Sequence, residues 1–132
     1  MQLTRTYFAR RFDQWVSKER LSEASLLEVV VRLESGLFDA DLGGNVYKVR
    51  VARLGRGRSS GYRSIIVFRS GDRAVFVYGY AKNDKANLTN RELIGYREMA
   101  AELLTYTEEQ LDALTDAGVL RLIEEKGENE HQ

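Results

Sequence analysis

Cysteine and proline are both absent from this sequence, and its one histidine, His131, stands next to the C-terminus. Without cysteine there are no disulfides and no thiolate metal ligands, which fits a reducing compartment. Without a second histidine, a ribonuclease mechanism that divides proton transfer between two imidazoles is excluded. The opening stretch MQLTRTYFARRFDQW is charged and aromatic and has no apolar core of a secretory signal. No apolar run approaches membrane-spanning length. The expectation is a soluble protein of the cytoplasm, and 132 residues suit one domain with a modest core.

Acidic residues are scarce where basic ones concentrate. The chain holds 20 Lys+Arg and 20 Asp+Glu, so its net charge is zero. Residues 1–45 carry 6 basic and 7 acidic side chains (−1), residues 46–91 carry 11 and 2 (+9), and residues 92–132 carry 3 and 11 (−8). Such segregation points to an anionic partner for the middle segment, unless the two charged segments neutralise each other within the molecule. The stretch NVYKVRVARLGRGRSSGYRSIIVF concentrates Lys48, Arg50, Arg53, Arg56, Arg58 and Arg63 with no acid among them.

No repeat, low-complexity stretch or linker interrupts the chain, and glycine gathers at turns. Arg5 to Phe8 reads as a short strand, followed by Phe8, Phe12, Trp15 and Val16 at helical spacing. SEASLLEVVVRLESG reads as a second helix, with Ser22 as its N-cap and Gly36 at its stop. The period then changes to two. In VYKVRVAR, Tyr47, Val49 and Val51 point one way and Lys48 and Arg50 the other. With YRSIIVFR, the turn SGD and RAVFVYGYAK, this makes three successive strands, an antiparallel meander. The last two strands are apolar on both faces, which calls for cover on both. Thr89 with Glu92, and Thr107 with Gln110, are capping boxes that open two further helices, the second ending at Gly118. VLRLIEE reads as a short strand or one more helical turn, and residues 128–132 as a frayed tail.

Tyr47-Lys48-Val49-Arg50, followed by Ser60-Gly61-Tyr62-Arg63, resembles the signature of the RelE/HigB superfamily of bacterial type II toxins. The nearer likeness is to a HigB-like branch. It extends over GLFDADLGGNVYKVRVA, GRSSGYRSIIVF, YGYAKNDKANLTNREL and AAELL, in that order. The resemblance implies an α+β fold, an antiparallel sheet with helices packed on one side and a concave basic face. It divides the single domain, 1–132, into a core of residues 1–104, an acidic helical extension of 105–126 and a tail of 127–132. It also implies an mRNA interferase acting on the translating ribosome and inhibited by a small antitoxin, often of helix-turn-helix type.

Metal-independent RNA cleavage lets the 2′-OH attack the adjoining phosphate, which restricts the reaction to RNA. It needs a base, an acid for the leaving 5′-oxygen and cations for the charge that grows on the phosphate. Carboxylates do not cluster in the basic segment, which speaks against a two-metal nuclease, and neither metal nor cofactor is expected. Lys48 and Arg50 share a strand face, so both can meet one phosphate. They also fit the wet side of an edge strand, which lysine protects from aggregation. Arg63 matches the family's transition-state arginine, and its planar fork suits a phosphate. A lysine among cations gives up its proton more readily, which makes Lys48 or Lys82 a candidate proton carrier. Lys82 ends the third meander strand, where the family has further basic site residues. Arg53, Arg56 and Arg58, in a glycine-rich loop, together with Tyr62 and Lys85, are the candidate RNA contacts. Tyr62, Tyr78 and Tyr80 also read as packing residues. Where the RelE branch has a tyrosine and an arginine, this chain has Thr89 and Asn83, which leaves the acid and base open. GRGRSSG lacks the G-K-[ST] ending of a phosphate-binding P-loop.

Two other readings fit the same segment. One is a toxin of related fold that poisons DNA gyrase, against which Lys48, Arg50 and Arg63 argue. The other is an inactive relic that binds RNA or a partner protein through phosphates and stacking.

Overall fold

A computed structural model describes residues 4–52, 61–85 and 87–124. The described elements run β1 (Arg5–Ala9), α1 (Arg10–Glu19), α2 (Glu23–Glu34), β2 (Ala40–Asp41), β3 (Val46–Val51), β4 (Tyr62–Arg69), β5 (Arg73–Ala81), α3 (Asn90–Leu103), α4 (Glu108–Asp116) and β6 (Leu120–Ile123). The strands form one sheet in the order β2-β3-β4-β5-β1-β6. The three-strand meander is present as β3, β4 and β5, paired antiparallel. Beside it β1 runs parallel to β5, and β6 closes that side antiparallel to β1. The fold is α+β, with a mostly antiparallel sheet.

Local signals place the helix ends. Ser22 caps α2 by accepting from the Ser25 N–H at 3.1 Å. Thr89 and Thr107 each accept from the N–H three residues on, while Glu92 and Gln110 reach back to the cap N–H at 2.8 Å. The β2–β3 turn passes through Gly43, Gly44 and Asn45 with φ of 87°, 63° and 69°, a left-handed run that glycine and asparagine tolerate. Arg97 of α3 lies over this turn and donates from Nε to the Leu42 carbonyl at 2.8 Å.

Helices cover both faces of the sheet rather than one. Phe12, Val16, Leu26, Val29 and Leu33 from α1 and α2 pack on Val49, Val51, Ile66, Phe68 and Phe76. On the other face Ala100, Leu103 and Leu111 from α3 and α4 pack on Val46, Ile65, Val67 and Val75. The physical cause is that β4 and β5 are buried along nearly their whole length, so each face needs its own layer. Gly79 of β5 makes room for this on the first face. A Cβ there would lie 2.3 Å from the Trp15 ring, so glycine lets the indole lie flat on the strand.

The charged segments do not neutralise each other as blocks. Arg69 and Arg73 both pair with Asp72, and Arg73 also donates to the Leu103 and Tyr106 carbonyls at 2.8 Å, closing the C-terminal end of α3. The acidic Glu108 and Asp112 face Arg5 of β1. Among the described residues, one ion pair joins residues 46–91 to residues 92–132: Lys85 with Glu92. No described helix is long and apolar enough to cross a membrane.

Candidate functional site

The pleat sorts the basic residues before any tertiary contact is considered. In β3, Tyr47, Val49 and Val51 enter the core under α1 and α2, so Lys48 and Arg50 stand on the opposite face, which α3 partly covers. In β4, Tyr62 and Ile66 belong to the first core and Ile65 to the second, which puts Arg63 on the face of Lys48 and Arg50. The ladder then sets two rows across the strands. Lys48 opposes Ile65, which opposes Tyr78. One step on, Arg50 opposes Arg63, which opposes Tyr80.

Arg63 is largely enclosed, with 14% of its side chain exposed. Its Nε meets the Asp39 Oδ2 at 3.2 Å, and its Nη1 reaches the Tyr62 carbonyl at 3.4 Å. Asp39 precedes β2 and reaches over β3 to make this contact. Arg50 is exposed and Lys48 half-buried, and neither has a carboxylate partner among the described residues. The short β2 pairs with Tyr47 and Lys48 only, and the Arg50 carbonyl accepts from Arg32 Nη2 of α2 at 2.5 Å.

Tyrosines line the α3 side of this face. The rings of Tyr80, Tyr78 and Tyr96 stack in series, with centroids 5.6 Å and 6.0 Å apart. Burial pushes the Tyr96 phenol up to about 12, helped by Tyr78 and Glu92 and opposed by Arg11. The Tyr80 phenol is also raised, by burial first, while Arg63 and Lys85 pull it down. Among the described residues its buried hydroxyl has no hydrogen-bond partner. Lys85 donates to Glu92 Oε2 at 3.0 Å, a bond that raises the lysine. Glu92 is lowered chiefly by the Thr89 N–H and then by Lys85.

The sequence-derived candidates therefore separate. Lys48, Arg50 and Arg63 share one face and two adjoining rows. Lys82 is exposed in the turn after β5, its N–H donating to the Gly61 carbonyl at 3.2 Å, at the same end of the sheet. Lys85 is held by Glu92. Tyr62 is not on this face: it is 4% exposed in the opposite core, stands edge-on to Trp15, and donates its hydroxyl to Glu19 at 2.7 Å. It is a packing residue, because the alternation that exposes Arg63 turns Tyr62 inward. Arg53, Arg56 and Arg58 lie outside the described residues. Thr89 has its hydroxyl committed to the helix cap. Among the described residues no three His, Cys, Asp or Glu side chains gather as a metal site.

Sequence reasoning missed Asp39 and the stacked tyrosines. GLFDAD lies within the stretch that carried the resemblance, and Asp39 and Asp41 are the only acids between Gly36 and Tyr62. That scarcity was the available signal. Periodicity also places Tyr78 and Tyr80 on one strand, but the ring contact with Tyr96 needs the docking of α3.

The family model for the RelE toxin of the RelE/RelB toxin–antitoxin system matches residues 4–123. The chain belongs to the RelE toxin family. No curated protein matches it significantly over its length. The matched span takes in every described strand and helix, including α4 and β6. As a RelE-family toxin it has a cognate antitoxin as its partner.

Proposed function

We propose that this toxin is an mRNA interferase that cuts mRNA on the translating ribosome, without metal, by 2′-OH attack on the adjoining phosphate. The observation that carries this reading is the pairing of Arg50 with Arg63 on the face that also bears Lys48. Two guanidinium groups and an ammonium within two ladder rows form a cradle for a phosphate whose charge grows as the pentacoordinate state forms. Arg63 faces that charge, Arg50 and Lys48 share it, and Lys82 at the open end of β5 carries the proton. Arg53, Arg56 and Arg58 grip the RNA backbone, and Lys85 joins them by sharing its ammonium between Glu92 and a phosphate. The stretches GLFDADLGGNVYKVRVA, GRSSGYRSIIVF, YGYAKNDKANLTNREL and AAELL support a toxin of the HigB-like branch, with a helix-turn-helix antitoxin that covers the basic face. The site of action is the cytoplasm, where mRNA and ribosomes are.

The test is induced expression of the wild type and of Arg63→Ala, with growth and mRNA 5′ ends followed together. New 5′ ends inside translated frames are expected for the wild type and their loss for a folded Arg63→Ala. Growth arrest without new ends would replace this reading with a gyrase-type target. No effect of either protein would leave a binding module.

A further inference from the structure

Arg63 does not stand free in the cradle, because Asp39 holds it. The carboxylate is mounted firmly: the Asp39 N–H donates to the Lys48 carbonyl at 2.8 Å, and the next residue, Ala40, pairs with Lys48 in the β2–β3 ladder. From there it reaches across β3 and takes the Nε edge of Arg63, at 3.2 Å. The contact is an ion pair on the Nε side of a guanidinium that carries five N–H groups. Among the described residues the Nη groups make one further contact, the 3.4 Å approach of Nη1 to the Tyr62 carbonyl. So Asp39 takes the side-on edge, and of the two edges that can bind a phosphate through two parallel bonds the end-on pair is the one it leaves open. Arg50 stands opposite, and without a carboxylate the two guanidinium groups repel each other apart.

We infer that Asp39 is a positioning residue for RNA cleavage: it fixes the Arg63 guanidinium by its Nε edge and so aims the Nη edge at the scissile phosphate. This rests on the reading of the basic face as a phosphate site. A different role for the same carboxylate is that of a brake, standing in for phosphate until RNA displaces it. A full brake would block both two-bond edges, and Asp39 leaves the Nη edge open. The single contact at Nε, on a carboxylate anchored to the sheet, favours positioning. Positioning also has an unusual signature. Removing the charge makes the site more cationic, so RNA binds as well or better while cleavage slows.

The experiment compares the wild type, Asp39→Asn and Asp39→Glu in three measurements. The first is the Nε–Hε resonance of Arg63 by ¹⁵N NMR, assigned through its loss in Arg63→Lys. It is ordered in the wild type and averaged in Asp39→Asn. The second is binding of a 2′-O-methylated oligoribonucleotide, which cannot be cut, and the affinity of Asp39→Asn is equal or higher. The third is cleavage of a translated reporter mRNA, slowed about 100-fold in Asp39→Asn, as expected for a misplaced catalytic group, and partly restored in Asp39→Glu. Faster cleavage by Asp39→Asn would replace positioning with a brake. An unchanged Arg63 resonance, or weaker oligonucleotide binding together with a lowered Tm, would reduce Asp39 to a structural residue. If the wild type cuts no RNA, the interferase reading fails, while the resonance still decides whether Asp39 orders Arg63.

Discussion

Arg50 and Arg63 stand opposite each other across the β3–β4 ladder, and among the described residues Asp39 is the one carboxylate paired with either of them. Like charges at facing positions destabilise a sheet, and a single carboxylate offsets only one member of this pair. Its neighbours sharpen the contrast. Arg69 and Arg73, at the other end of β4 and β5, are tied to Asp72 and to the carbonyls that end α3. The same residue type thus serves structure at one end of the sheet, while at the other two facing arginines share one carboxylate.

Replacing Arg50 with glutamine separates stability from binding. The folded state is expected to gain about 0.2–1 kcal/mol, because one of two facing cations is gone. Affinity for single-stranded RNA is expected to fall, and the slope of log K against log salt to shrink by about 0.7 for one lost phosphate contact. Urea unfolding and oligonucleotide binding over a salt series measure both. A loss of stability with an unchanged salt slope would remove Arg50 from the phosphate cradle.

Gly79→Ala is expected to destabilise the protein by about 1–3 kcal/mol, the range for overpacking a filled core. The added methyl would meet Trp15 at 2.3 Å, and Trp15 is itself packed on Phe12 and edge-on to Tyr62. The indole can yield only by disturbing both rings. Thermal unfolding followed by tryptophan fluorescence reads the shift directly, since Trp15 is the one tryptophan in the chain.

Local physics was legible in the sequence wherever it acts over a few residues. Ser22, Thr89 and Thr107 announce their helices because a cap and its partner lie three residues apart. The alternation of VYKVRV fixes which face Lys48 and Arg50 take, and the same rule hides Tyr62. What sequence did not show depends on distant docking. The insertion of β1 between β5 and β6, parallel to β5, joins residues about 70 and 110 positions apart. Asp39 reaches Arg63 over an intervening strand, and Tyr96 reaches Tyr78 only once α3 is laid on the sheet. The helix layer on the second face follows from apolar positions on both faces of β4 and β5. The resemblance, which implied helices on one side, was the poorer guide there.

The stacked tyrosines predict a loss of stability at alkaline pH. Tyr96 is raised from its ordinary value of 10.0 to about 12, and Tyr7 and Tyr80 are raised as well, each by burial first. A phenol whose pKa is higher when folded is neutral in both states below pH 10, so its full contribution is present there. As pH rises from 10 towards 12 the unfolded chain ionises first, and the contribution is lost. Denaturant midpoints measured between pH 9 and 12 should fall in wild type and fall less in Tyr96→Phe. Absorbance titration should show late-ionising phenols, with one fewer of them in Tyr96→Phe. A Tyr96→Phe curve parallel to that of the wild type would contradict the assignment.

The acidic C-terminal segment is part of the sheet, which decides how its role in inhibition can be tested. β6 pairs with Thr6–Ala9 along β1, and Leu111, Leu120 and Ile123 are buried. Arg121 grips Asp13 through two bonds of 2.9 Å and reaches Glu23, so β6 also anchors the start of α1 and α2. Each buried aliphatic side chain contributes about 1.5–3 kcal/mol, against a total of about 5–15 kcal/mol for a domain. Truncation after Leu104 is therefore expected to unfold the protein, read as loss of cooperative melting by circular dichroism. Lost antitoxin affinity in such a truncation would report only that the fold is gone. Charge reversal at the exposed Glu109 and Asp116 of α4 leaves the packing in place and is the informative experiment. If those reversals weaken antitoxin binding with Tm unchanged, the acidic helix contacts the inhibitor. If affinity is unchanged, the helix serves the sheet, and inhibition belongs to the basic face alone.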